Sequence, residues 1–303
     1  MPRRLAVIDL GTNTFHLLII SISPGQSKWT ELYRQQVFVK LAADGIGAIG
    51  EAPWHRGLET MQRFAEIMQQ WQVHDYKAIG TAALRTARNG PDFLDTVKVL
   101  TGIAITLIDG NEEARLIHSG VMAYQDYQHL PGKSLIMDIG GGSVEFILSH
   151  QGQVCWAASF PVGVAVLHRN FHREEPIVAA EVAALEIFLK KSLAPLWEIL
   201  QQDPAARLIG ASGTFDVVET ALNIPKDGIQ TGVTLFDFMD SITRLDREAR
   251  QVHPQIPPQR VDMIVVALIL LTTVLQESGI PHLHVCGYAL KEGVLSEMIQ
   301  SPS

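Results

Sequence analysis

Leu5-Ala-Val-Ile-Asp-Leu-Gly-Thr-Asn-Thr-Phe-His-Leu-Leu-Ile-Ile20 recurs in form as Ser134-Leu-Ile-Met-Asp-Ile-Gly-Gly-Gly-Ser-Val-Glu-Phe-Ile-Leu-Ser149. Each copy is an apolar run ending in Asp, a tight turn of small residues and a second apolar run, which is a β-hairpin pattern. Asp9 aligns with Asp138, Gly11 with Gly140, Thr14 with Ser143, and His16 with Glu145. One such hairpin is ordinary. Two with the same Asp, Gly and hydroxyl positions mark a duplicated unit. Small residues let successive backbone N–H groups form a concave nest for phosphate oxygens, and aspartates at strand ends suit hard divalent cations. Gly11, Thr12, Asn13 and Thr14, and Gly140, Gly141, Gly142 and Ser143, are therefore candidate phosphate-binding residues. Asp9 and Asp138 are candidates for placing a divalent cation, Mg²⁺ in the first instance.

Outward from the repeat, strand and helix patterns alternate, which implies an α/β architecture. Lys77–Gly80 reads as a strand entering a helix at Thr81, with Thr81, Arg85 and Arg88 spaced to share one face and offer a phosphate a docking place. Ile103–Ile108 is expected to be a strand, followed by a helix capped by Asn111 with Glu112 and Glu113 in its first turn. Ser212, Gly213 and Thr214 end another strand and are available to a phosphate. At 303 residues two domains are expected, 1–126 and 127–303, with the loop at Pro131-Gly132 near the boundary. The closing helix, 288–303, has the option of packing back on the first domain.

A formal net charge of −8 argues against a general nucleic-acid binder, because that function needs clustered Lys and Arg. The longest apolar stretch, Val261–Leu275, contains Asp262 and is shorter than the roughly 20 residues a bilayer requires, so it reads as a buried helix. Cys155 and Cys286 lack metal or disulfide-framework spacing. With no secretory pattern after Met-Pro-Arg-Arg, a reducing cytoplasm is the expected location. His16 reads as a core histidine, and His168–Arg173 as a solvated basic face suited to guiding an anion.

The ordered motifs Asp9-Leu-Gly-Thr-Asn-Thr-Phe-His, Gly80-Thr-Ala-Ala-Leu-Arg, Gly110-Asn-Glu-Glu-Ala-Arg, Asp138-Ile-Gly-Gly-Gly-Ser-Val-Glu, Gly210-Ala-Ser-Gly-Thr and Leu290-Lys-Glu-Gly span nearly the whole chain. Together they resemble the exopolyphosphatase and guanosine pentaphosphate phosphohydrolase family. The resemblance implies two actin-like, ribonuclease-H-like domains with the active site in the cleft between them. It implies that Glu113 is the general base, that Asp138, Glu145 and the backbone of Gly140 place Mg²⁺ and phosphates, and that Arg85 binds phosphate. Lys40 stands where the family commonly has an Arg-Leu-Gly segment and is left without a role.

The expected activity is release of terminal orthophosphate from inorganic polyphosphate, with a preference for short chains because no further C-terminal helical domain follows. Hydrolysis of guanosine pentaphosphate to the tetraphosphate is the alternative within the family. A sugar kinase or ATPase of the same superfold, and a non-catalytic alarmone-binding regulator, are the alternatives of other classes. Polyphosphate or guanosine penta- and tetraphosphate are the expected partners, without nucleic acid or membrane. A homodimer is consistent with the family.

Overall fold

In the computed structural model, the first hairpin pairs β1 (Arg3–Leu10) with β2 (Thr14–Ile22) so that Asp9 lies opposite His16. The second pairs β6 (Ser134–Ile139) with β7 (Val144–His150) so that Asp138 lies opposite Glu145. Each repeat thus places its two aligned polar residues on neighbouring strands and the same sheet face. The structure describes residues 2–300 except 27, 125, 126 and 227, with backbone alone for Gln128. Residue 126, where the first expected domain ends, and residues 301–303 lie outside the described residues.

The chain divides into Met1–Ala123 with Tyr288–Ser303, and Tyr124–Gly287. In the first unit, β3 (Trp29–Phe38), β4 (Asp75–Gly80) and β5 (Thr106–Leu107) complete a sheet of order β3-β2-β1-β4-β5. The β1–β2–β3 strands are antiparallel, and β4 and β5 continue the sheet in parallel. In the second unit, β8 (Gln153–Phe160), β9 (Arg207–Ala211), β10 (Ile229–Gln230) and β11 (His282–Cys286) give the order β10-β11-β9-β6-β7-β8. Read as β8-β7-β6-β9-β11, this is the first sheet again: an antiparallel triplet continued by two parallel strands. Both units are the mixed α/β sheets of an actin-like fold.

Each sheet is held by its own core. Ile8, Phe15, Leu17, Phe64 and Phe93 are fully enclosed or nearly so in the first unit, as are Met137, Phe146, Phe215 and Leu268 in the second. The apolar stretch near residue 270 forms the buried helix Ile264–Ser278. Among the described residues no helix is long and apolar enough to cross a membrane.

The helix Leu290–Gln300 returns to the first unit and packs on the helix Gly110–Ala123. Two glycines permit the contact. A Cβ on Gly120 would stand 2.1 Å from the Ala289 carbonyl oxygen, and one on Gly293 would stand 1.8 Å from that of Leu116. Glu297 pairs with Arg115 at 2.5 Å and Lys77 at 3.8 Å, while the enclosed Glu292 carboxylate pairs with Arg34 at 3.1 Å.

Four local expectations change. The edge strand β5 is two residues long, because only β4 supports it. The helix after β4 is a single turn, Ala82–Thr86, and closes at Ala87 in extended backbone. Arg88 therefore lies beyond it, its N–H donating to the Gly47 carbonyl (3.1 Å), and does not share a helix face with Arg85. The helix carrying Glu113 is capped by Asp109, whose Oδ1 accepts from the Glu112 N–H at 2.8 Å, rather than by Asn111. Finally, His168–Arg173 is not uniformly solvated: His172 is buried, and His168 stacks on it edge-on with ring centroids 5.1 Å apart.

Gly293→Ala should lower stability by roughly 1 to 3 kcal/mol, since a methyl group must displace helix backbone; the urea unfolding midpoint measures it. Burial holds the pKa of His118, His168 and His172 below the ordinary 6.5. The unfolded chain then binds protons that the folded chain refuses, so stability should fall as pH drops from about 6.5 towards 5, ahead of most carboxylate titration. A pH series of unfolding midpoints checks this.

Candidate functional site

In the first unit the C-terminal ends of β1, β4 and β5 meet: the Thr81 N–H donates to the Leu10 carbonyl (3.3 Å) and the Ile108 N–H to that of Gly80 (3.1 Å). Three functional segments leave from these ends: the Gly11–Thr14 turn, the single-turn helix bearing Arg85, and the helix bearing Glu113. Glu113 is 7% exposed, and its Oε2 lies 3.6 Å from an Arg85 guanidinium nitrogen. Arg85 also donates to the Ile108 carbonyl, just past β5, which holds its guanidinium at that strand end. The sequence-predicted acid and phosphate-binding cation are therefore an ion pair.

The first turn closes on itself through the Gly11 N–H and Thr14 carbonyl (3.0 Å). Two of its carbonyls are held from outside the hairpin, Thr12 by the Leu41 N–H (2.8 Å) and Asn13 by the Lys40 N–H (2.9 Å). The Thr12 hydroxyl is buried and, among the described residues, has no hydrogen-bond partner. Asp9 sits at the root of this turn, on β1. His16, across the ladder from it, is half-buried on β2.

The second unit repeats the device with other parts. The N–H groups of Gly163, Val164 and Ala165, which open the helix Val164–Phe171, donate to the carbonyls of Gly142 (3.4 Å), Gly140 (3.0 Å) and Gly141 (2.9 Å). This satisfies donors that a helix start otherwise leaves free. The approach is so close that a Cβ on Gly163 would stand 2.4 Å from Gly141 backbone. Beside the turn, Asp138 and Glu145 are both buried, Glu145 to 1% exposure. Glu145 Oε1 accepts from the hydroxyls of Ser143 and Ser159, each at 2.7 Å.

Ala211 pairs in register with Asp138, so the Ser212-Gly213-Thr214 segment starts beside the same strand end. Ser212 has φ 85° and ψ 170°, a region that is nearly the preserve of glycine. Its hydroxyl accepts from the Ile139 N–H and donates to the Ile139 carbonyl, both at 3.2 Å, which holds the strained turn in place. Gly213 lies under the Arg260 guanidinium: a Cβ there would be 1.4 Å from Nη2. Burial lowers the Arg260 pKa, and Asp216 opposes that shift.

Three features of these turns escaped the sequence reading. Gly163 follows β8 in Pro161-Val-Gly, a turn signal in the sequence, and Arg260 is brought to Gly213 only by the fold, after Pro257-Pro258-Gln259. The Lys40–Leu41 clamp carries no sequence signature beyond a loosened family match. Among the described residues no group of three or more His, Cys, Asp and Glu side chains forms a metal cluster.

A family model described as the Ppx/GppA phosphatase family matches residues 18–302. An exopolyphosphatase from Cytophaga hutchinsonii is 32% identical, with a TM-score of 0.90 and 98% of both chains covered. An Aquifex aeolicus member of the Ppx/GppA family has a TM-score of 0.80 at 23% identity, covering 100% of both chains, which bears on the fold. A guanosine-5'-triphosphate,3'-diphosphate pyrophosphatase from Photobacterium profundum is 27% identical over 97% of this chain, which spans 59% of that protein's length.

Replacing both Ser143 and Ser159 by Ala leaves the enclosed Glu145 oxygen without its two hydroxyl donors. Hydrogen bonds to a charged group are involved, so a loss of roughly 2 to 4 kcal/mol is expected in chemical denaturation.

Proposed function

The chain belongs to the Ppx/GppA phosphatase family, and on that premise we propose that it hydrolyses the terminal phosphoanhydride of inorganic polyphosphate and releases orthophosphate. The observation that carries this reading is the Glu113–Arg85 pair beside the Gly11–Thr14 turn. A buried carboxylate, a cation and a peptide nest occupy neighbouring strand ends, the set of groups that anhydride hydrolysis needs. The 32% identity to an exopolyphosphatase over 98% of both chains supports polyphosphate as the substrate.

In this reading the phosphate draws Arg85 towards it, since a guanidinium and phosphate oxygens form strong charge-assisted bonds. Glu113, relieved of its partner, accepts a proton from the attacking water. The Thr12 hydroxyl and the Thr12 and Asn13 N–H groups, at the tip of the Gly11–Thr14 turn, orient phosphate oxygens, and the Gly140–Ser143 turn does the same in its own unit.

Asp138 and Glu145 fit a divalent cation. They are buried carboxylates facing each other across one antiparallel ladder, an arrangement that repels unless a cation or proton intervenes. Mg²⁺ typically takes one or two carboxylates, completing its shell with water and phosphate oxygens, which suits two acids rather than a closed cage. When bound, such an ion neutralises charge on the phosphates. Asp9, at the root of the other turn, is the remaining carboxylate of this chemistry.

Guanosine pentaphosphate is the second reading, supported by the likeness to the Photobacterium profundum pyrophosphatase, of which this chain spans 59%. Phosphate release from defined-length polyphosphates and from guanosine pentaphosphate, with Mg²⁺ varied, separates the two. Glu113→Gln should lower kcat at least about 100-fold with KM little changed, the usual reach of a general base. A wild-type chain inactive on both substrates, or a fully active Glu113→Gln variant, contradicts the proposal.

A further inference from the structure

β3 ends at Phe38, and the chain then crosses behind the Gly11–Thr14 turn, where Lys40 and Leu41 donate their N–H groups to Asn13 and Thr12. The crossing is pinned on both sides. The Arg56 guanidinium donates twice to the Val39 carbonyl, at 3.0 and 2.8 Å. Farther along, the Asn89 side chain both accepts from the Ile49 N–H and donates to its carbonyl, each at 2.9 Å.

Lys40 occupies left-handed backbone at φ 52°, a conformation that glycine meets at lower cost. Its hydrogen bond to Asn13 uses only the peptide N–H, which nearly any residue supplies. Backbone geometry therefore favours glycine or asparagine at this position, and what lysine adds there is its side chain. That side chain is an ammonium on a flexible four-carbon stem, anchored one hydrogen bond from a turn with an unsatisfied buried hydroxyl. In a chain of net charge −8, a polyanion must be met by cations placed locally like this one.

We propose that Lys40 binds the phosphate adjoining the terminal one, and so makes the first unit favour a phosphate chain over orthophosphate. Lys40 is then a specificity-determining residue, and this role rests on the hydrolase reading above. The reacting phosphate needs the turn and Arg85, whereas the neighbouring phosphate needs the ammonium. Loss of Lys40 should therefore discriminate between ligands by phosphate number.

Calorimetric titration in Mg²⁺, on a Glu113→Gln background that prevents turnover, compares orthophosphate with tripolyphosphate for Lys40, Lys40→Met and Lys40→Arg. Lys40→Met should weaken tripolyphosphate about tenfold and orthophosphate less than about twofold, with Lys40→Arg restoring most of the loss, as expected for one charge-assisted contact. Retained orthophosphate binding shows that the variant is folded. Equal weakening of both ligands, or undiminished tripolyphosphate binding, overturns the assignment. Phosphate release from tripolyphosphate by the chain with Glu113 intact judges the hydrolase reading separately. Failure there sinks the reaction and leaves the binding comparison to decide Lys40.

Discussion

Both candidate phosphate turns depend on one constraint: the carbonyl oxygens at their tips are engaged by N–H groups from outside the hairpin. In the first unit the donors are Lys40 and Leu41, and in the second they are Gly163, Val164 and Ala165. A tight turn of small residues has many conformations in isolation, and glycines lose the most entropy on being fixed. Holding the carbonyls from behind selects one of them. The peptide units are thereby oriented as the nest requires, and the strand ends that carry Asp9, Asp138 and Glu145 are held with them. The two units reach the same result with different parts, a strand end in one and a helix start in the other.

The surrounding structure carries costs that make sense around such turns. Ser212 keeps a backbone conformation suited to glycine, and two hydrogen bonds to Ile139 hold it there. Glu145 stays at 1% exposure, with two serine hydroxyls on one oxygen. Arg260 is packed onto Gly213 although burial disfavours its charge. Strained and charged groups of this kind persist where the neighbouring fold over-determines them. In the first unit that over-determination includes the Gly120–Gly293 helix contact, which fixes the helix of Glu113 using the last turns of the chain.

Much of this was legible in the sequence because the repeat is a pattern of residue types. The Asp-x-Gly spacing and flanking apolar runs specify both hairpins, and the register places Asp138 opposite Glu145 as their alignment implies. Legibility fails where a tertiary contact decides. Arg88 leaves the helix face because Gly47 and Ile49 capture its neighbourhood. Asp109 takes the cap from Asn111 because the helix starts one residue after it. His172 is buried by packing that its basic neighbours conceal. Arg260 and Gly163 matter through atoms remote in sequence, so local spacing could not single them out.

On this geometry the two tied turns receive phosphate through their peptide groups. The most direct test is an amide chemical-shift titration of the isotope-labelled chain with an imido-bridged, non-hydrolysable tripolyphosphate in Mg²⁺. The largest shifts should fall on the amides of the Gly11–Thr14 and Gly140–Ser143 turns. Saturable binding that leaves both turns unshifted would contradict that role.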